Sequence, residues 1–191
     1  MSRGLHYVDP VDQIWLTCAA RLGMNIARSE DVFASWNGID TLTISTPEGF
    51  DPDDCLAQMI LHELCHALVE GPEGLLQPDW GLENIDRRDL IREHACHRLQ
   101  ARLLAPHGLR VMLGPTTEHR PYYDALPADP LADGEDPAIS PAREGFTRAC
   151  SGPWAATIAQ ALAATASIAV AVHGFAAGSL WAAAAPTGEH P

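Results

Sequence analysis

The chain has 191 residues, enough for one domain of ordinary size, and a 47% hydrophobic fraction that can build a core. Acidic side chains outnumber basic ones 25 to 12, giving a formal charge of −13. The cations are all arginine and unclustered, which excludes the basic face that a nucleic-acid surface requires. The five cysteines, Cys18, Cys55, Cys65, Cys96 and Cys150, form no CxxC pair, and MSRGLHYVDP at the amino terminus lacks an apolar signal core. Both features lead to the expectation of a reducing cytoplasm.

Residues 11–24, VDQIWLTCAARLGM, place Val11, Ile14, Trp15, Cys18 and Leu22 at helical spacing and predict a first helix. VFASWNGIDTLTIS follows, two β-prone runs with Asn37-Gly38 as the turn between them. The second run, Thr41–Ser45, alternates polar and apolar residues and suits a sheet edge whose backbone stays open. Residues 51–71 predict the clearest helix: Asp51 as cap, Pro52 in the first turn, Asp53 and Asp54 at the positive end of the dipole. Its apolar residues, from Leu56 to Leu68, form a broad surface, and Gly71-Pro72 stops it. After a loop rich in Gly and Pro, a second helix is predicted over 86–104, with acids early, arginines late and Pro106 beyond.

Between 114 and 153 seven prolines and the acidic run ADPLADGEDP predict a linker or a long surface loop. The last segment, 154–186, has no charged side chain and is dominated by Ala. Its length exceeds the roughly 20 residues needed to span a bilayer. Ala is only weakly apolar, however, Gln160 and His173 interrupt, and no cations flank the segment. The expectation is a soluble helical hairpin divided at Gly174 and packed on the core, with a membrane anchor through 154–185 as the alternative. Three parts follow: a domain over 1–112, a Pro-rich acidic linker or loop over 113–152, and an Ala-rich helical segment over 153–186.

The chemistry is carried by His62-Glu63-Leu64-Cys65-His66. Residues four apart share a helix face, so His62 and His66 can present two imidazole nitrogens to one tetrahedral metal. Glu63 lies one step round the helix, near enough to take a proton from a metal-bound water. A catalytic zinc needs a third protein ligand and an open fourth position. Glu93, His94 and His97 on the next helix are the candidates, and chemistry alone leaves the choice open; Glu93 and His97 share a face, so one can ligate while the other supports it.

These residues resemble the gluzincins, and among them most the ImmA/IrrE family of zincin-like peptidases. That family carries HELxH and a later helix of the form E-x-x-A-x-x-F-A-x-x-L-L-x-P. Here the later helix reads EHACHRLQARLLAP from Glu93 to Pro106, with the leading Glu, the paired leucines and the closing proline in register. The resemblance spans roughly residues 10–112. It implies an α+β zincin-like fold, a short twisted sheet with the HExxH helix and a Glu-bearing helix, extended by Ala-rich carboxy-terminal helices. It further implies Zn2+ as cofactor, His62, His66 and Glu93 as ligands, and Glu63 as catalytic base. Cys96 departs from the family's small residue, Leu99-Gln100 from its Phe-Ala, and no helix-turn-helix module is present.

The expected activity is hydrolysis of peptide bonds in a peptide or protein substrate lying extended along Thr41–Ser45. The alternatives are a non-catalytic, zinc-scaffolded interaction protein and a hydrolase of other amides. His119, Tyr122 and Tyr123 are candidate transition-state stabilisers that could fold over the site. Cys65 and Cys96 each lie three residues from a proposed ligand, so they can meet as a disulfide or as two buried thiols.

Overall fold

A computed structural model describes residues 6–83, 86–115 and 118–184. The first five residues of the amino-terminal stretch and the last two of the 153–186 segment lie outside the described residues. The chain is mixed α+β, with one three-stranded sheet.

Helix α1 (Pro10–Arg21) begins where Asp9 accepts the backbone N–H of Val11 at 2.9 Å, and it buries Trp15 and Ala19 completely. Three short strands follow: β1 (Asn25–Ser29), β2 (Ala34–Trp36) and β3 (Thr41–Ser45). The Asn37-Gly38 turn forms as its residues dictate. Asn37 Oδ1 accepts the N–H groups of Ile39, Asp40 and Thr41 at 2.9–3.0 Å, and Gly38 takes φ 75°.

The strand order is β1-β3-β2, with β1 parallel and β2 antiparallel to β3. Thr41–Ser45 is therefore the central strand and not the edge. Alternation in a strand reports which side chains are buried, here Leu42 and Ile44, but not which backbone edges are paired. The edge is β2. Phe33 C=O accepts from Ser45 N–H and Asn37 N–H donates to Thr41 C=O, so the polar groups of Ala34 and Trp36 turn to the other side. There Asp79 Oδ1 accepts the Trp36 N–H at 3.0 Å, leaving Ala34 at the open edge.

Helix α2 (Leu56–Gly74) starts four residues later than the acidic cluster suggests. Asp54 Oδ2 accepts the N–H of Asp51 and closes a separate turn, and Cys55 Sγ caps the helix at Gln58 N–H. Gly71, at φ 74° and ψ −164°, breaks the helix in front of Pro72. The carbonyls this exposes are taken by the Arg148 guanidinium, at 2.7 Å from Leu68 O and 3.1 Å from Val69 O. Helix α3 (Arg87–Leu104) is capped by Asp86, which accepts the N–H of Asp89 at 2.9 Å.

The expected linker is in large part ordered structure. It contains α4 (Arg120–Asp124) and α5 (Ile139–Ser151). The prolines mislead because Pro121 and Pro141 sit in first turns, where a helix has no use for the missing N–H. Helix α5 packs on both α2 and α3. Its Gly145 comes so close that a Cβ there would stand 2.9 Å from Leu99 Cδ2 and 3.2 Å from Val69 Cγ2. The stretch between α4 and α5 is fastened by buried Arg98, which donates to Tyr122 Oη at 2.7 Å, Pro130 O at 2.6 Å and Asp136 Oδ2 at 2.8 Å.

The Ala-rich segment forms one helix, α6 (Ala155–Val172), followed by two 3-10 turns instead of a second helical arm. Residues 155–175 are long and apolar enough to cross a membrane, with mean hydropathy 1.8. In this fold the face of Ile158, Ala161, Leu162, Thr165 and Ala169 is buried, and Thr165 Oγ1 accepts the Trp15 indole N–H at 3.1 Å.

Candidate metal centre

Helices α2 and α3 pack side by side and turn His62, His66 and Glu93 toward one point. The Nε2 atoms of His62 and His66 are 3.1 Å apart. Glu93 Oε1 lies 3.1 Å from His62 Nε2 and Oε2 lies 3.2 Å from His66 Nε2. Donors at bonds of 2.0–2.1 Å to a tetrahedral zinc stand about 3.3 Å from one another, and the separations here, one Glu93 oxygen to each imidazole, are close to that. Two nitrogens and one carboxylate oxygen are also the donor set that suits zinc.

Electrostatics points the same way. Burial opposes charge on His62, yet Glu93 outweighs it and raises the imidazole pKa to about 9. Burial would raise the Glu93 pKa, but His66 and His62 hold it well below the usual carboxylate range. A field that favours a proton between these groups favours a divalent cation there as well.

The ring orientations come from partners that sequence reasoning did not single out. Gln100 is fully buried and its Nε2 donates to Leu113 O at 2.7 Å, which aims Oε1 at His62 Nδ1, 3.1 Å away. His62 Nδ1 therefore donates to Gln100, and Nε2 is the nitrogen turned to Glu93, free to take a metal once its proton is displaced. Gln100 lies seven residues after Glu93, two turns along the same helix, and that spacing is the one signal for it in the sequence. On the other imidazole, Cys96 Sγ lies 3.2 Å from His66 Nδ1. Cys65 and Cys96 are buried, and both are free thiols.

Glu63 is buried beside the triangle and accepts the indole N–H of Trp80 at 2.8 Å. Nothing in the spacing of Trp80 foretells this contact. It depends on Asp79 and Trp80 both adopting left-handed backbone, φ 47° and 59°. Stacking on Trp36, with centroids 4.8 Å apart and planes 3° from parallel, holds the ring there.

His97 is 1% exposed and its Nε2 is 3.0 Å from Glu93 Oε1. Burial lowers its pKa to about 4, so the ring is neutral near pH 7. Two groups of three have donor atoms that all lie within 4.8 Å of one another: His62, Glu63 and His66, and a second of His62, Glu93 and His97. His94 faces elsewhere, stacked on the Tyr122 ring at 3.6 Å.

A cleft of about 600 Å³ opens over the triangle, lined by Phe33, Ala34, Gln58, Met59, His119 and acidic residues besides the metal-facing groups. Of the three candidate stabilisers it reaches only His119. Tyr122 Oη donates to Asp136 and Tyr123 Oη to Arg110 O, each at 2.9 Å, and neither ring lines the cleft. Both phenols are engaged in fastening the chain after α3, a demand that composition does not reveal. Comparisons with protein-family models, with curated proteins and with solved structures find no match to this chain.

Proposed function

We propose that this chain is a zinc-dependent metallopeptidase of zincin-like architecture. The observation that carries the reading is the convergence of His62 Nε2, His66 Nε2 and the Glu93 carboxylate to within 3.2 Å beside buried Glu63, at the floor of an open cleft. The resemblance of both helices to the ImmA/IrrE family supports it further. His62, His66 and Glu93 would hold the ion, and His97 would steady Glu93 from behind. When bound there, zinc supplies Lewis acidity and a water whose pKa falls to about 7.

The work of the chain's own residues follows from their placement. Ala34 at the open edge of β2 offers its N–H and C=O to an extended substrate, which replaces the expected docking on Thr41–Ser45. Glu63, oriented by the Trp80 indole, takes the proton of the attacking water and passes it to the leaving amide nitrogen. His119, at the cleft wall, donates to the carbonyl oxygen as negative charge develops on it.

Purified protein should carry about one zinc per chain by elemental analysis. Glu63→Gln should retain that zinc and lose peptide hydrolysis; a variant that still hydrolyses would remove Glu63 from the base role. The competing reading is a closed, non-catalytic zinc site in which His97 joins as fourth ligand, favoured by its place in the second donor group. X-ray absorption separates the two, since a water ligand marks the open site.

The same reading places the protein in the cytoplasm with α6 as a soluble helix. The Trp15–Thr165 hydrogen bond and the buried inner face support this over a membrane span. The protein should stay in the supernatant when vesicles are sedimented.

A further inference from the structure

We infer that the cleft selects extended peptides carrying basic side chains beside the scissile bond, an inference that rests on the peptidase reading above. Acidic residues enter the cleft from three walls: Asp51 ahead of α2, Asp86 at the start of α3, and Glu118 ahead of α4. Glu63 and Glu93 lie at its floor, and no arginine is among its lining residues. A divalent ion held there would balance the two floor carboxylates and leave the charge of the walls negative. Arg120, two residues after Glu118 but not among the lining residues, is paired with Asp53 at 2.7 Å.

A second observation asks for a donor. Gln58 lies one turn before His62 on α2, lines the cleft and is 2% exposed, and its Oε1 has no hydrogen-bond partner among the described residues. A buried acceptor without a partner is costly, and the N–H groups of a bound cation or peptide satisfy it.

The apolar surface of the cleft fits the same ligand. Phe33 and Leu90 line it and are 45% and 48% exposed. Long aliphatic stems with a charged end lie on such side chains while the end reaches a carboxylate, and a guanidinium gains from the Phe33 ring face. An acidic peptide meets repulsion from all three walls at once. Basic and apolar contacts thus act together on a strand already aligned by Ala34.

The test uses the zinc-loaded Glu63→Gln protein and three fluorescein-labelled peptides of equal length, one rich in Arg and Lys, one neutral and one rich in Asp and Glu. Anisotropy should give roughly tenfold tighter binding of the basic peptide than of the acidic one, since each exposed pair contributes only modestly. The preference should shrink as salt is raised. Adding Asp86→Asn and Glu118→Gln should bring the basic and acidic affinities together while zinc content stays the same; Asn preserves the cap of α3. Equal affinity for all three peptides, or binding of none, overturns the inference. Hydrolysis by the wild-type zinc protein keeps the two readings apart. Cleavage of acidic and basic peptides alike removes only the selectivity, and cleavage of neither removes the peptidase.

Discussion

Trp80 holds a backbone conformation that its Cβ disfavours, at a cost of about 1–3 kcal/mol that the surrounding contacts must offset. Those contacts are the Trp36 stack and the bond from Trp36 N–H to Asp79, and their product is an indole N–H aimed at Glu63. Trp80→Phe keeps the stack and removes the donor. It should lower kcat about tenfold with zinc content and KM unchanged, because the carboxylate loses its aim and not its place. If kcat is unaltered, the indole does not orient Glu63. Gln100→Leu acts on the other side of the site. By freeing the His62 ring it should weaken zinc binding about 10–100-fold, read by competition with a chelator. Glu93→Ala should weaken zinc more than His97→Ala, and the reverse order would make His97 the third ligand.

The elements show why much of this was legible and some was not. His62, Glu63 and His66 stand out because helical spacing converts sequence separation into a shared face, whereas Glu93 is singled out from His94 and His97 only through the family resemblance. The hairpin turn was legible because Asn37-Gly38 permits few other backbones. Strand β1, with its exposed Asn25 and Arg28, has too little apolar alternation to be noticed, and without it β3 looks like an edge. Helix α5 was hidden by Pro141 and the prolines before it, although Gly145 is what lets it lie against α2 and α3. Gly145→Leu should therefore destabilise the fold by about 1–3 kcal/mol in denaturant melts, through clashes with Leu99 and Val69. The segment before α5 predicts an acid response. Burial would raise the Asp136 pKa, but its bonds from Arg98, the Ala138 N–H and Tyr122 lower it. Its stabilisation is fully present above the unfolded value of about 3.9 and is lost as pH falls through the lower folded value. Asp136→Asn should reduce the melting temperature at neutral pH and flatten its decline in acid, measured by circular dichroism.

Across the whole molecule α2 and α3 pack on each other and on α5, while α1 covers α2 and itself packs on β1 and α6. Enclosure leaves most sulfur out of reach. Cys18, Cys65 and Cys96 are buried, Cys55 is half-buried and Cys150 is exposed. Burial pushes the thiol pKa of Cys18 and of Cys55 up to about 11, which further suppresses their reaction. Titration with an aromatic disulfide near pH 8 should release one thiol promptly from the native protein, lost in Cys150→Ser, and all five after denaturation. Prompt reaction of several thiols would mean that the layers open readily.

Because Asp79 already occupies the Trp36 N–H, β2 has little more than a single rung left to offer an incoming strand. Main-chain pairing over one residue supplies alignment but little grip, so holding power must come from side chains next to the cut. Lengthening a peptide beyond those neighbours should leave KM flat. Such an enzyme would read a short local pattern wherever a chain exposes it, indifferent to how much polypeptide extends on either side.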